Sequence, residues 1–148
     1  MVSPICGATY NVHRKKLFIL QKRIIRIIAG AKYNDHTAPL FQKLHVLKLD
    51  DIYKVQVAKI IFKYKHNLLP LPIQSLFRSN SDIYKGVTRQ SYDLHVKKCR
   101  TNIATQHISY KGPQIWNSLP NDIKSLTVGT IKRFTSTLTT HLLNEYNH

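Results

Sequence analysis

Between Val12 and Ala29 the apolar residues recur at intervals of three and four. Leu17, Leu20, Ile24, Ile27 and Ile28 share one side of a helical wheel, while Lys15, Lys16, Lys22, Arg23 and Arg26 fall on the other. The spacing predicts a helix over about 12–29 with its isoleucines packed inward and its cations held outward. Gly30 is placed to stop it, because glycine takes the left-handed conformation without steric cost. Asp35-His36-Thr37-Ala38-Pro39 reads as a turn into a short helix over about 38–44, with Thr37 as its cap and the proline in the first turn, where amide donors are unpaired anyway. Asp50 then caps a longer helix over about 51–66. Its apolar residues make two stripes, Val55, Ala58 and Phe62 on one and Tyr53, Val57, Ile60 and Tyr64 on the other, so it should be covered on more than one side. Leu69-Pro70-Leu71-Pro72 ends it, and a short helix over 72–77 follows.

The period changes over residues 78–111. Ser, Asn, Thr, Gly and Arg dominate, and the weak alternation in Asp93-Leu94-His95-Val96-Lys97 and in Thr105-Gln106-His107-Ile108-Ser109-Tyr110 predicts short exposed strands, a β-hairpin insertion. Gly112-Pro113 opens a turn of helix carrying Ile115 and Trp116, and Leu119-Pro120 breaks it. A last helix over about 128–143 carries Ile131, Phe134, Leu138 and Leu142 on one narrow stripe. Its threonines are poor helix formers, so docking of that stripe must hold it. Gly112, Pro113 and Trp116 are the structural anchors, the indole burying on the order of 200 Å². The expected fold is mainly α: a small helical domain with a short irregular or β-hairpin insertion between the central and C-terminal helices. It divides into a basic helical region, 1–77, and an irregular segment with the closing helix, 78–148, forming one structural unit.

Composition sharpens this picture through charge. Lys and Arg number 23 against 7 Asp and Glu, a net charge of +16 on 148 residues, yet 43% of the chain is hydrophobic. A disordered basic arm has no use for so many isoleucines. The combination implies a packed scaffold with a cationic exterior and a polyanionic partner, RNA or DNA read through its phosphates. Lys15, Lys16, Lys22, Arg23 and Arg26, with Arg14 near the helix start, lie within four turns, a spacing that lets a helix follow a phosphate backbone. A second set, Lys97, Lys98 and Arg100, flanked by Arg89 and Lys111 and close in sequence to Tyr92 and Tyr110, suits a single strand, where rings stack on bases and cations meet phosphates.

Other chemistry is thin. Cys6 and Cys99 give no disulfide framework, and no run is long enough to cross a bilayer. Arg14-Lys15-Lys16 interrupts the first apolar stretch, so no secretory signal is read and an intracellular location, nuclear or cytoplasmic, is expected. His95, Cys99 and His107 lack the paired short spacings of a zinc site. The adjacent acids Asp50-Asp51 suit a helix start better than a two-metal centre, and no phosphate loop or nucleophile elbow occurs. No catalytic residue, metal or cofactor is therefore expected.

Four runs carry a resemblance: Leu20-Gln21-Lys22-Arg23-Ile24-Ile25-Arg26-Ile27-Ile28; Asp35-His36-Thr37-Ala38-Pro39-Leu40-Phe41 with Leu44-His45-Val46-Leu47-Lys48-Leu49-Asp50-Asp51; Thr88-Arg89-Gln90 with Cys99-Arg100-Thr101-Asn102; and Tyr110-Lys111-Gly112-Pro113-Gln114-Ile115-Trp116-Asn117-Ser118-Leu119-Pro120. In this order they resemble the region that follows the polymerase domain in reverse transcriptases of non-LTR (LINE-like, jockey/CR1-type) retrotransposons, and the last run is the most specific. The resemblance implies a C-terminal piece of such a polyprotein, beyond the thumb, which helps to hold template RNA or target DNA. It also implies an upstream reverse transcriptase domain as a partner. The Tyr-x-Asp-Asp motif of RNA-directed DNA polymerases does not occur, so the chain itself should not polymerise. The sequence departs from the family in reading Cys6-Gly7 where relatives usually have Trp-Gly, and it lacks a cysteine-rich zinc knuckle. The functional expectation is a non-catalytic nucleic-acid-binding region. The alternative is an interaction scaffold that docks on the rest of its polyprotein or on an acidic protein.

Overall fold

Nineteen residues, Asn11–Ala29, form the first helix, α1, in a computed structural model that describes residues 11–84, 91, 93–126 and 130–147, with the backbone alone at 11–13 and 147. It is followed by α2 (Ala38–Lys43), α3 (Leu49–Lys65), α4 (Leu71–Gln74), α5 (Asn80–Ile83), a 3-10 turn (Ala104–Gln106), α6 (Ile108–Ser118), α7 (Asn121–Lys124), α8 (Ile131–Asn144) and a closing 3-10 turn (Glu145–Asn147). The described residues group into two compact units. One is drawn from Met1–Val55 and Thr135–His148, the other from Gln56–Phe134, so the boundary falls inside α3 and again inside α8.

The first unit is built around Phe41 of α2, which is fully buried, stacked at 6.4 Å on Phe18 of α1 and met edge-on at 6.4 Å by Tyr146. Asp50 does not cap α3. That helix starts at Leu49, which puts Asp50 and Asp51 in its first turn, where their charge complements the positive end. The amides there are met from far along the chain. The Gln21 side chain accepts from Leu49 N (3.0 Å) and donates to Leu47 O (2.9 Å), and the Tyr146 hydroxyl accepts from Lys48 N (2.9 Å) while donating to Asp51 (2.6 Å). Thr37 likewise makes no side-chain cap; its carbonyl receives Phe41 N.

In the second unit Phe62 of α3 stacks at 4.5 Å on Phe134 of α8, and Trp116 of α6 stacks on the same Phe134 ring at 6.0 Å. Gly112, Pro113 and Trp116 of α6 are all buried. Glycine at 112 has a steric reason, because a Cβ there would lie 3.0 Å from Ile61 Cδ1 and 3.2 Å from Phe77 Cε1. Along α3, Val55, Ala58 and Phe62 of the first expected stripe are buried; of the second, Val57 is buried while Tyr53, Ile60 and Tyr64 are half-buried, and Ile61, in neither stripe, is fully buried. In α8, Phe134, Leu138 and Leu142 are buried along the expected stripe.

The hairpin does not form. Among the described residues there is no strand, only an isolated antiparallel bridge between Ser79 and Leu94. Ser91 and residues 93–95 lie beside the start of α5, with Asn80 N bonded to Asp93 O, Ser81 N to Ser91 O and His95 N to Arg78 O. The peptide of Leu94 is then taken by a side chain, since Asn117 Nδ2 donates to Leu94 O (2.8 Å) and Leu94 N donates to Asn117 Oδ1 (3.0 Å). An amide that pairs with a peptide in this way supplies what a second strand would have supplied, so the extended run needs no partner strand. The second expected strand is consumed by the 3-10 turn and by α6, which begins at Ile108.

Candidate nucleic-acid interface

Helix α1 carries three faces where its sequence pattern suggested two. The docked face consists of Phe18, Gln21 and Ile25; Ile25 is 3% exposed and Phe18 and Gln21 are half-buried. Packing follows the ring of Phe18 on Phe41 and the two hydrogen bonds of Gln21, which together outweigh the wider aliphatic stripe as the anchoring contact. Leu17, Leu20, Ile24, Ile27 and Ile28, expected inside, are exposed: Ile24 to 56% and Ile27 to 78%. The isoleucines therefore do not brace the cations from beneath.

The cations do point outward, though unequally. Lys15, Lys16 and Arg23 are exposed, and among the described residues no carboxylate lies within ion-pair distance of them. Lys22 is half-buried, its ammonium 4.6 Å above the Phe18 ring. Arg26 is also half-buried: Nε and Nη2 donate to Asp35 O at 3.1 and 3.0 Å, and its guanidinium carbon lies 5.9 Å from the Tyr33 ring centre. Arg14 is ion-paired with Asp50. Burial raises the pKa of Tyr53, and the nearby Arg14 charge partly opposes that rise.

At the C-terminal end of α1 the chain reverses. Gly30, at φ 63°, sends its N–H to Ile27 O (3.2 Å), and Ala31 N bonds to Arg26 O (3.0 Å), which closes the helix with a left-handed residue. Asp35 braces the loop by accepting from Lys32 N at 2.7 Å. The reversal leaves an open cleft of about 410 Å³ lined by Arg23, Arg26, Ile27, Ala31 and Tyr33. The Tyr33 ring is 76% exposed. Sequence spacing alone passes over Tyr33, because its place beside Arg26 depends on the turn at Gly30 and not on any helical period.

The second set belongs to the other unit. Lys97, Lys98 and Arg100 are exposed on the run without regular structure that follows Leu94, and the Asn117 amide fixes where that run departs. Lys111 and Tyr110 are half-buried on α6, a separate element. Arg89 and Tyr92 lie outside the described residues. The interleaving of cations with aromatics is expected in this second set, whose described members are Lys97, Lys98, Arg100, Tyr110 and Lys111; the pairing of Arg26 of α1 with Tyr33 is one that the sequence reading passes over.

The acids are spent on structure: Asp51 pairs with Lys54 (2.8 Å) and Asp93 with Lys124 (3.5 Å), as Asp50 does with Arg14. Among the described residues no three His, Cys, Asp or Glu side chains gather where a metal ion could sit. No helix among them is long and apolar enough to cross a membrane. No protein family, curated protein or solved structure matches the chain.

Proposed function

We propose that this chain is a non-catalytic nucleic-acid-binding fragment, equivalent to the C-terminal region of a non-LTR retrotransposon reverse transcriptase, which grips RNA or DNA inside the cell through the basic face of α1. The observation that carries the reading is the exposed trio Lys15, Lys16 and Arg23, without a carboxylate partner among the described residues, on a chain of net charge +16. Lysines and an arginine that no internal acid neutralises exchange their counterions for phosphates at little cost, and the released ions drive association. The Tyr33 ring beside Arg23 and Arg26 supports contact with an unpaired base, since aromatic stacking tolerates any base and adds roughly 1–3 kcal/mol. On the second unit, Lys97, Lys98, Arg100 and Lys111 offer phosphate contacts of their own.

Lys22 and Arg26 also have structural work, on Phe18 and on the Asp35 carbonyl, so the informative variant is Lys15→Glu/Lys16→Glu/Arg23→Glu. Wild type should bind a single-stranded RNA of about thirty nucleotides without sequence preference. If about six phosphates are engaged, affinity for this single strand should fall roughly 300-fold between 50 and 200 mM salt, and the triple variant should lower the slope of log affinity against log salt by about two. Equal binding by the triple variant and wild type at low salt would remove the interface.

A further inference from the structure

The aliphatic face of α1 has a regular geometry that nucleic-acid binding leaves unused. Leu17, Leu20, Ile24 and Ile27 are spaced three, four and three residues apart, the repeat of one strand of a two-stranded coiled coil, and Ile28 thickens its far end. All five are exposed. Together they bare on the order of 500 Å² of apolar surface, near the upper limit that monomeric proteins leave uncovered. Lys16 and Arg23, each one residue before a seam position, line one edge of the stripe; α1 contains no acid in its first turn and none elsewhere in Asn11–Ala29. The opposite edge is formed by Gln21, whose amide is engaged by Leu47 and Leu49, and by Arg14, which is ion-paired with Asp50.

We infer that this face is a docking site for an amphipathic helix of a partner protein whose apolar seam is flanked by Glu or Asp. The narrow stripe of alternating three- and four-residue steps fits one helix laid along it, with knobs entering holes. The cations on its open edge select acids at the facing flank, and like charges at that edge reject basic helices. A second copy of the chain fits poorly, because it would bring another +16 against this surface. This docking site shares Lys16 and Arg23 with the proposed nucleic-acid face but rests on the aliphatic stripe, which phosphate contacts do not use.

The test uses the full chain and two labelled peptides of about three heptads. Both have Leu at the seam positions; one carries Glu at both flanks and the other Lys, so that neither pairs with itself. By fluorescence anisotropy the Glu peptide should bind at least about tenfold more tightly than the Lys peptide. Ile24→Asp/Ile27→Asp, at side chains that face solvent, should keep the helical circular dichroism and melting temperature of wild type and lose about tenfold or more of that affinity. Lys16→Glu/Arg23→Glu should reverse the preference between the peptides. Equal binding of both peptides by wild type would overturn the inference, as would unchanged binding by the double aspartate variant. So would sedimentation showing a dimer, or flotation with phosphatidylserine vesicles, that the same aspartates abolish.

Discussion

Three residues in left-handed backbone close three consecutive helices of this chain by one device. Gly30 (φ 63°), His45 (φ 50°) and Asn67 (φ 55°) each follow the last turn of α1, α2 and α3. In each case the next amide reaches back to a carbonyl five residues before it: Ala31 to Arg26, Val46 to Phe41, Leu68 to Lys63. Only the first was legible in the sequence, because glycine announces this conformation, whereas histidine and asparagine adopt it only where the surrounding hydrogen bonds require it. A Cβ at Gly30 would meet nothing, so Gly30→Ala isolates the backbone term and should destabilise by about 1 kcal/mol. His45→Gly, at an exposed side chain, should change stability in the opposite direction by about 0.5–1 kcal/mol. Urea denaturation of the two variants beside wild type measures both; a Gly30→Ala midpoint equal to that of wild type would mean the turn is not held as described.

At the scale of elements, helix positions were readable because apolar periodicity fixes where a helix lies. The side that docks was less readable. In α1 the wider aliphatic stripe lost to a face made of one aromatic ring, one isoleucine and one amide, and no hydrophobic count weighs a glutamine that answers two peptide groups 26 and 28 residues away. The start of α3 follows the same rule, since its donors are met by Gln21 and Tyr146 and not by the neighbouring aspartates. Tyr146→Phe leaves Lys48 N without an acceptor and removes the donor to Asp51 Oδ2, while Lys54 still holds Oδ1, so a loss of about 1–3 kcal/mol is expected in chemical denaturation. The same hydroxyl gives a pH signature. Burial, and next its hydrogen bond to Asp51, hold the phenol neutral well above the ordinary value of 10.0. The folded state therefore binds this proton more tightly than the unfolded chain. Its contribution is complete below pH 10 and declines as pH rises above that value. The stability gap between wild type and Tyr146→Phe should accordingly narrow with alkalinity above pH 10, and a gap that stays constant there would contradict the assigned hydrogen bond.

For the molecule as a whole, charge was the most legible property and the hairpin the least. Seven acids cannot balance 23 cations, and Asp50, Asp51 and Asp93 are each tied to a particular basic side chain. Self-repulsion should make the melting temperature rise with sodium chloride and rise further with a bound polyanion such as heparin. A melting temperature that falls over the same series would mean that the ion pairs, and not the excess charge, dominate. The absence of the hairpin could not be anticipated because Asn117 stands in for a strand, and a side chain's choice of a peptide 23 residues away leaves no local period. A still longer separation between partners bears on biosynthesis. The hydroxyl that answers Lys48 and Asp51 is separated from them by 98 and 95 residues, so the N-terminal helices emerge from the ribosome long before their last hydrogen bonds can form. Translation must run through to Tyr146 before that unit can close. Nascent chains stalled inside α8 should accordingly remain open to proteases and chaperones, however long they wait.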